Sequence, residues 1–114
     1  MKDFTPTLKE IRRVLCDNGE FLFSVPDLQV LCKLFLRPEL NMTQRFQVMT
    51  MMFGGQSDEY DFHYIGLTRE FMVEYFRRAG FSRVKSVESF GLFNDTSEYK
   101  PFGVPISLNL IAYK

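Results

Sequence analysis

The chain has 114 residues and is 46% hydrophobic and 25% charged, which fits one globular domain with ample apolar volume for a core. Fourteen Lys and Arg against 14 Asp and Glu leave no formal net charge, which excludes the basic excess of a nucleic-acid footprint. No apolar run approaches the length of a membrane span and no signal peptide is read before the first helix, so a cytoplasmic compartment without membrane partners is expected.

Met1 to Phe4 is a short polar lead. A helix is predicted over 5–17, with Thr5 as cap, Pro6 at the first helical position and Leu8, Ile11, Val14 and Leu15 as one apolar stripe. Arg12-Arg13, like Arg77-Arg78 further on, reads as a solvated helix face. Asn18-Gly19 supplies the stop, and Glu20 to Val25, short and aromatic, reads as a buried strand closed by Pro26.

A second helix is predicted over 27–37, capped by Asp27, with Leu28, Leu31, Cys32, Phe35 and Leu36 on one face and Arg37-Pro38 as its end. Cys16 and Cys32 are expected to be core or near-core thiols. With one histidine they make neither a disulfide framework nor a zinc site. A third helix is predicted over 43–53, capped by Thr43, with Phe46, Met49, Thr50 and Phe53 on its core face and Val48 and Met52 widening it. Met42, Met49, Met51 and Met52 suit core gap-filling; a plastic binding surface is the other use of such residues.

Gly54-Gly55 follows a helix rather than a strand, so it is not a phosphate loop. Asp61-Phe62-His63-Tyr64 holds the only histidine and lies on a connection between helices. His63 could act as a general base oriented by Asp61 or Glu59, but with no further catalytic partner in view the favoured role of His63 and Tyr64 is to hold the loop closed by hydrogen bonds. A hydrolase is disfavoured, because no G-x-S-x-G motif occurs and Ser24 lacks flanking glycines.

A fourth helix is predicted over 68–79. Thr68 caps it, Leu67 and Met72 staple it, and Phe71, Met72, Tyr75, Phe76 and Ala79 are its buried stripe. Gly80 ends it and Phe81 folds back. Arg83 to Phe90 reads as a strand. Gly91 to Pro105 is a long loop pinned by Leu92, Phe93 and Phe102, and Ile106 to Tyr113 is the last strand.

The helix–turn–strand unit from Thr7 to Asp27 resembles the L-x-E-I-x-R-V-L-x-x-G-G-x-x-L-x-S-x-P segment of class I S-adenosylmethionine-dependent methyltransferases. Leu8, Glu10, Ile11, Arg13, Val14, Leu15, Gly19, Leu22, Ser24 and Pro26 match, while Cys16-Asp17-Asn18 replaces the usual Lys-Pro-Gly. Leu67, Thr68, Glu70, Ala79, Gly80 and Phe81 resemble the family's L-T-x-E-x-x-x-x-x-L-x-x-A-G-F, with Phe76 in place of a leucine. Gly54-Gly55-Gln56, Asp61 to Tyr64, Gly66-Leu67-Thr68 and Glu88 to Ser97 are similar to motifs of one subgroup of predicted methyltransferases.

The resemblance implies an α/β fold: the C-terminal part of a Rossmann-like sheet, with strands in the order fifth, seventh, sixth, mixed, the last strand antiparallel. Helices 5–17 and 68–79 pack on it, and residues 27–60 form an inserted helical lid within a single domain, 1–114. It implies S-adenosylmethionine as the family's cofactor. The glycine-rich turn and the acidic strand end that would hold it are absent, so this chain alone is expected neither to bind it nor to transfer a methyl group. Gln56, Asp61, His63 and Tyr64 are the substrate-side candidates that the resemblance implies. The strand 20–25 would lack its neighbour, so a homodimer, or a chain carrying the missing half, is expected at its edge. The alternative is a free-standing, non-catalytic dimeric α/β binding module.

Overall fold

The computed structural model describes residues 3–56, 65–91 and 98–114. In chain order these form α1 (Thr5–Val14), β1 (Glu20–Pro26), α2 (Leu28–Phe35), α3 (Met42–Phe53), α4 (Arg69–Ala79), β2 (Arg83–Val87) and β3 (Ser107–Tyr113), with a 3-10 turn at Pro101–Gly103. The sheet has the order β1-β3-β2. The last strand lies in the middle, pairing antiparallel with β1 from Glu20↔Tyr113 to Pro26↔Ser107 and with β2 from Arg83↔Tyr113 to Val87↔Asn109. The sheet is therefore not mixed as expected. β1 and β2 run the same way, but β3 separates them, so both ladders are antiparallel.

Alternation along the strands gives the sheet one apolar face, carrying Phe21, Phe23 and Val25 on β1, Leu108, Leu110 and Ala112 on β3, and Val84 on β2. Leu8 of α1 and Met72, Phe76 and Ala79 of α4 pack on it. Phe76 is fully buried and meets Phe21, Phe23 and Phe81 edge-on, at centroid distances of 6.1, 5.8 and 5.2 Å. The other face carries Leu22, Val87 and Ile111, half-buried and outside both hydrophobic clusters. The second cluster joins α2 and α3 through Leu31, Leu34, Leu40 and Val48 and reaches the sheet through Ile106.

The helix ends show what spacing alone misjudged. Asp27 and Thr68 cap α2 and α4 as expected, accepting from the N–H groups of Gln29 and Phe71. Thr5 is not a cap. It lies within α1, its hydroxyl buried and unbonded, and Asp3 accepts its N–H at 2.9 Å. Asn41, not Thr43, caps α3 in a reciprocal box: Gln44 N–H donates to Asn41 Oδ1 at 2.8 Å and Asn41 N–H to Gln44 Oε1 at 2.9 Å. α1 stops at Val14 rather than 17, because Leu15 is extended and Asn18 takes the positive φ of the turn. β2 ends at Val87, short of Phe90.

Burial also corrects several faces. On α3 the core residue is Val48, while Phe46 and Phe53 are 62% and 56% exposed. Polar and apolar residues are mixed around that helix, so periodicity did not choose its side. On α2 the core pair is Leu31 and Leu34; Cys32 and Leu36 are exposed, and Cys16 is too, so neither thiol is in the core. Val14 and Phe71, counted in buried stripes, are also exposed. Of the residues expected to pin the long loop, Leu92 and Phe93 lie outside the described residues and Phe102 is exposed; Pro101 is the buried one.

Candidate functional site

An apolar cavity of about 280 Å³ opens where the two clusters meet, at the carboxyl end of β1. Val25 and Pro26, the last residues of β1, form one wall, and Leu28 and Leu31 on α2 form the next. Met51 and Met52 come from the last turn of α3, Phe4 from the lead before α1, and Ile65, Gly66 and Leu67 from the segment that enters α4.

Backbone pairing sets these pieces side by side. Asp27 N–H donates to the Ile106 carbonyl at 2.7 Å and Leu28 N–H to the Leu67 carbonyl at 2.9 Å, which makes a parallel bridge between Asp27 and Leu67. Gly66 lies against the Leu28 side chain: a Cβ there would lie 2.5 Å from Leu28 Cδ2, so that side chain would have to turn aside. The Asp27 cap occupies the Gln29 N–H at 3.0 Å, so two first-turn donors of α2 are already paired within the chain. Among the described residues every lining side chain is apolar. These residues can take up hydrocarbon, and none of them is an acid, base or nucleophile.

Of the sequence candidates, Asp61, His63 and Tyr64 lie outside the described residues. Gln56 is exposed, follows Gly54 and Gly55 with a positive φ of 58°, and does not line the cavity. The cavity residues went largely unread, because apolar residues that line a cleft carry the same periodic signal as apolar residues that fill a core. The hint the sequence offers is Met51-Met52, which suit a plastic binding surface as well as core gap-filling.

The perturbed charges lie elsewhere. Hydrogen bonds from Arg77 and then Arg78 hold the Glu74 carboxyl at about 2, on the exposed side of α4. The Thr5 N–H holds the Asp3 carboxyl below its usual range. Asn109, 3% exposed in the middle of β3, accepts from Ser24 Oγ of β1 at 2.7 Å and donates to the Glu88 carbonyl just past β2 at 2.8 Å, a bonded clamp that joins all three strands. Among the described residues no cluster of His, Cys, Asp and Glu could hold a metal, and no helix is long and apolar enough to cross a membrane. In comparisons with known proteins, no family model, no curated protein and no solved structure matches this chain.

Proposed function

We propose that this chain is the substrate-side, sheet-closing part of an S-adenosylmethionine-dependent methyltransferase and acts with a cofactor-binding half that these residues do not contain. The observation that carries the reading is topological. A helix leads into β1, a second into β2, both helices pack on one face, and the last strand inserts antiparallel between β1 and β2. That is the order implied by the sequence resemblance for the fifth, seventh and sixth strands of such a sheet. The apolar cavity at the carboxyl end of β1 adds support, since open α/β sheets bind ligands beyond the carboxyl ends of their strands. In this reading β1 takes its missing neighbour from the cofactor half, and Gln56 with Asp61, His63 and Tyr64 faces the methyl acceptor.

The test is calorimetry with S-adenosylhomocysteine on two samples: the purified chain, and the assembly isolated through this chain from its native cells. Micromolar binding by the assembly and none by the chain is the expected result. An assembly that binds no S-adenosylhomocysteine would end the reading.

The edge of β1 favours a second reading, a non-catalytic dimeric module. Antiparallel pairing of two β1 strands centred on Phe23 sets Phe21 opposite Val25 and the lone charge, Glu20, opposite Pro26, so no like charges meet. A dimeric mass for the isolated chain, with no cofactor binding by the native assembly, would favour this module over the methyltransferase.

A further inference from the structure

We infer that the cleft at the end of β1 binds an uncharged hydrocarbon group of the substrate, the size of two fused rings or a short alkyl chain. The inference names a substrate class for the methyltransferase reading and rests on it only for the ligand's role as methyl acceptor.

Size is the first argument. The cleft's 280 Å³ is about twice the roughly 150 Å³ that accepts benzene in an apolar protein cavity, and just under the roughly 300 Å³ at which drug-sized sites begin. A group of roughly ten carbon atoms fits that interval.

Chemistry is the second. The walls are aliphatic, aromatic and thioether side chains, with no polar side chain among the described residues. The Asp27 and Leu28 N–H groups at the mouth of α2 are bonded to the carbonyls of Ile106 and Leu67, and the Gln29 N–H to its own cap. A charged or hydroxyl-rich group seated there would lose its water without gaining partners. Met51 and Met52 give the wall an adaptable, polarisable surface that suits ring edges and methylene chains alike.

The third argument is that Gly66 leaves this wall uncrowded. A methyl at that position would lie 2.5 Å from Leu28 Cδ2, so the Leu28 side chain would have to turn aside.

The methionines supply the test. With methyl-labelled methionine, the six methionines report separately by NMR; Met51 and Met52 line the cleft, Met42 is exposed, and Met72 is buried in the other cluster. Naphthalene and 1-octanol are titrated into the full chain without cofactor, with methyl glucoside as a polar control of similar size. Saturable shifts of Met51 and Met52 with at least one hydrocarbon, with Met42 and Met72 unmoved and no response to the glucoside, are the expected result, and the preferred probe separates ring from chain. Met51→Trp fills the cleft from an incompletely buried position and is expected to weaken binding at least tenfold, read at Met52. The wild-type titration decides the matter even if that variant misfolds.

No shift at Met51 and Met52 up to hydrocarbon saturation, shifts shared by Met42, or a response to the glucoside would each overturn the inference. Because no cofactor is present, a negative result leaves the methyltransferase reading standing. Conversely, an assembly that binds no S-adenosylhomocysteine leaves a positive hydrocarbon site standing.

Discussion

Gly80 sits in the left-handed region at φ 96°, and two bonds close the helix around it: Gly80 N–H to the Arg77 carbonyl at 3.0 Å and Phe81 N–H to the Phe76 carbonyl at 3.1 Å. Arg12 also reaches from α1 to donate to the Gly80 carbonyl at 2.9 Å. Gly80→Ala keeps those partners but forces a side chain into that region, at a cost of about 1–2 kcal/mol in urea denaturation. Asn109→Leu removes both bonds of the strand clamp and strands the Glu88 carbonyl; a loss of about 1–3 kcal/mol is expected by the same measurement. Gly80 was legible because a glycine after a helical stripe, followed by an apolar residue, has one common use. Asn109 was not, because nothing in the alternation of the last strand says which of its polar residues is covered.

At the scale of elements, α3 and α4 give opposite lessons. Phe76 on α4 was read as core and is its centre; Phe76→Ala should destabilise by about 3–5 kcal/mol. Phe46 on α3 was read as core and faces outward, so Phe46→Ser should change stability by no more than about 0.5 kcal/mol. Comparing the two by thermal denaturation tests the assignment of faces directly. The fourth helix was legible because charged residues mark most of its outer side. The third has polar residues scattered between its apolar ones, and the tertiary partners Leu31, Leu34 and Ile106 decide that Val48 points inward.

The outer side of α4 has its own signature in pH. The Glu74 carboxyl titrates at about 2 in the fold instead of its ordinary 4.5, so the stabilisation from its arginine pairs is complete above about 4.5 and is lost as the pH falls through about 2. Both partners are exposed, which keeps the effect small. The side-chain carboxyl of Glu74, followed by NMR, should show that midpoint, and Arg77→Gln with Arg78→Gln should return it towards 4.5.

For the molecule as a whole, strand order was more legible than shape. The resemblance implies a last strand between the other two, and β3 lies there. The radius of gyration of 15.4 Å exceeds the roughly 13 Å of a compact domain of about a hundred residues. The two clusters are separate rather than gathered around one centre, and both edge strands of the sheet, β1 and β2, lack a further strand among the described residues. What the sequence could not convey was the cleft between the clusters, since it exists only where two separately satisfied cores fail to merge.

That seam gives the domain two clocks. The amides of α4 and β3 belong to one cluster and those of α2 and α3 to the other; the Leu28–Leu67 bond is a backbone link across the join, and Asp27–Ile106 ties the start of α2 to the end of the sheet. Hydrogen exchange should follow that division, with the helical pair exchanging at the lower free energy and the amides of Asp27 and Leu28 following it rather than β3. A molecule held in the seam would bring the two rates together, so occupancy could be timed at residues that never touch it.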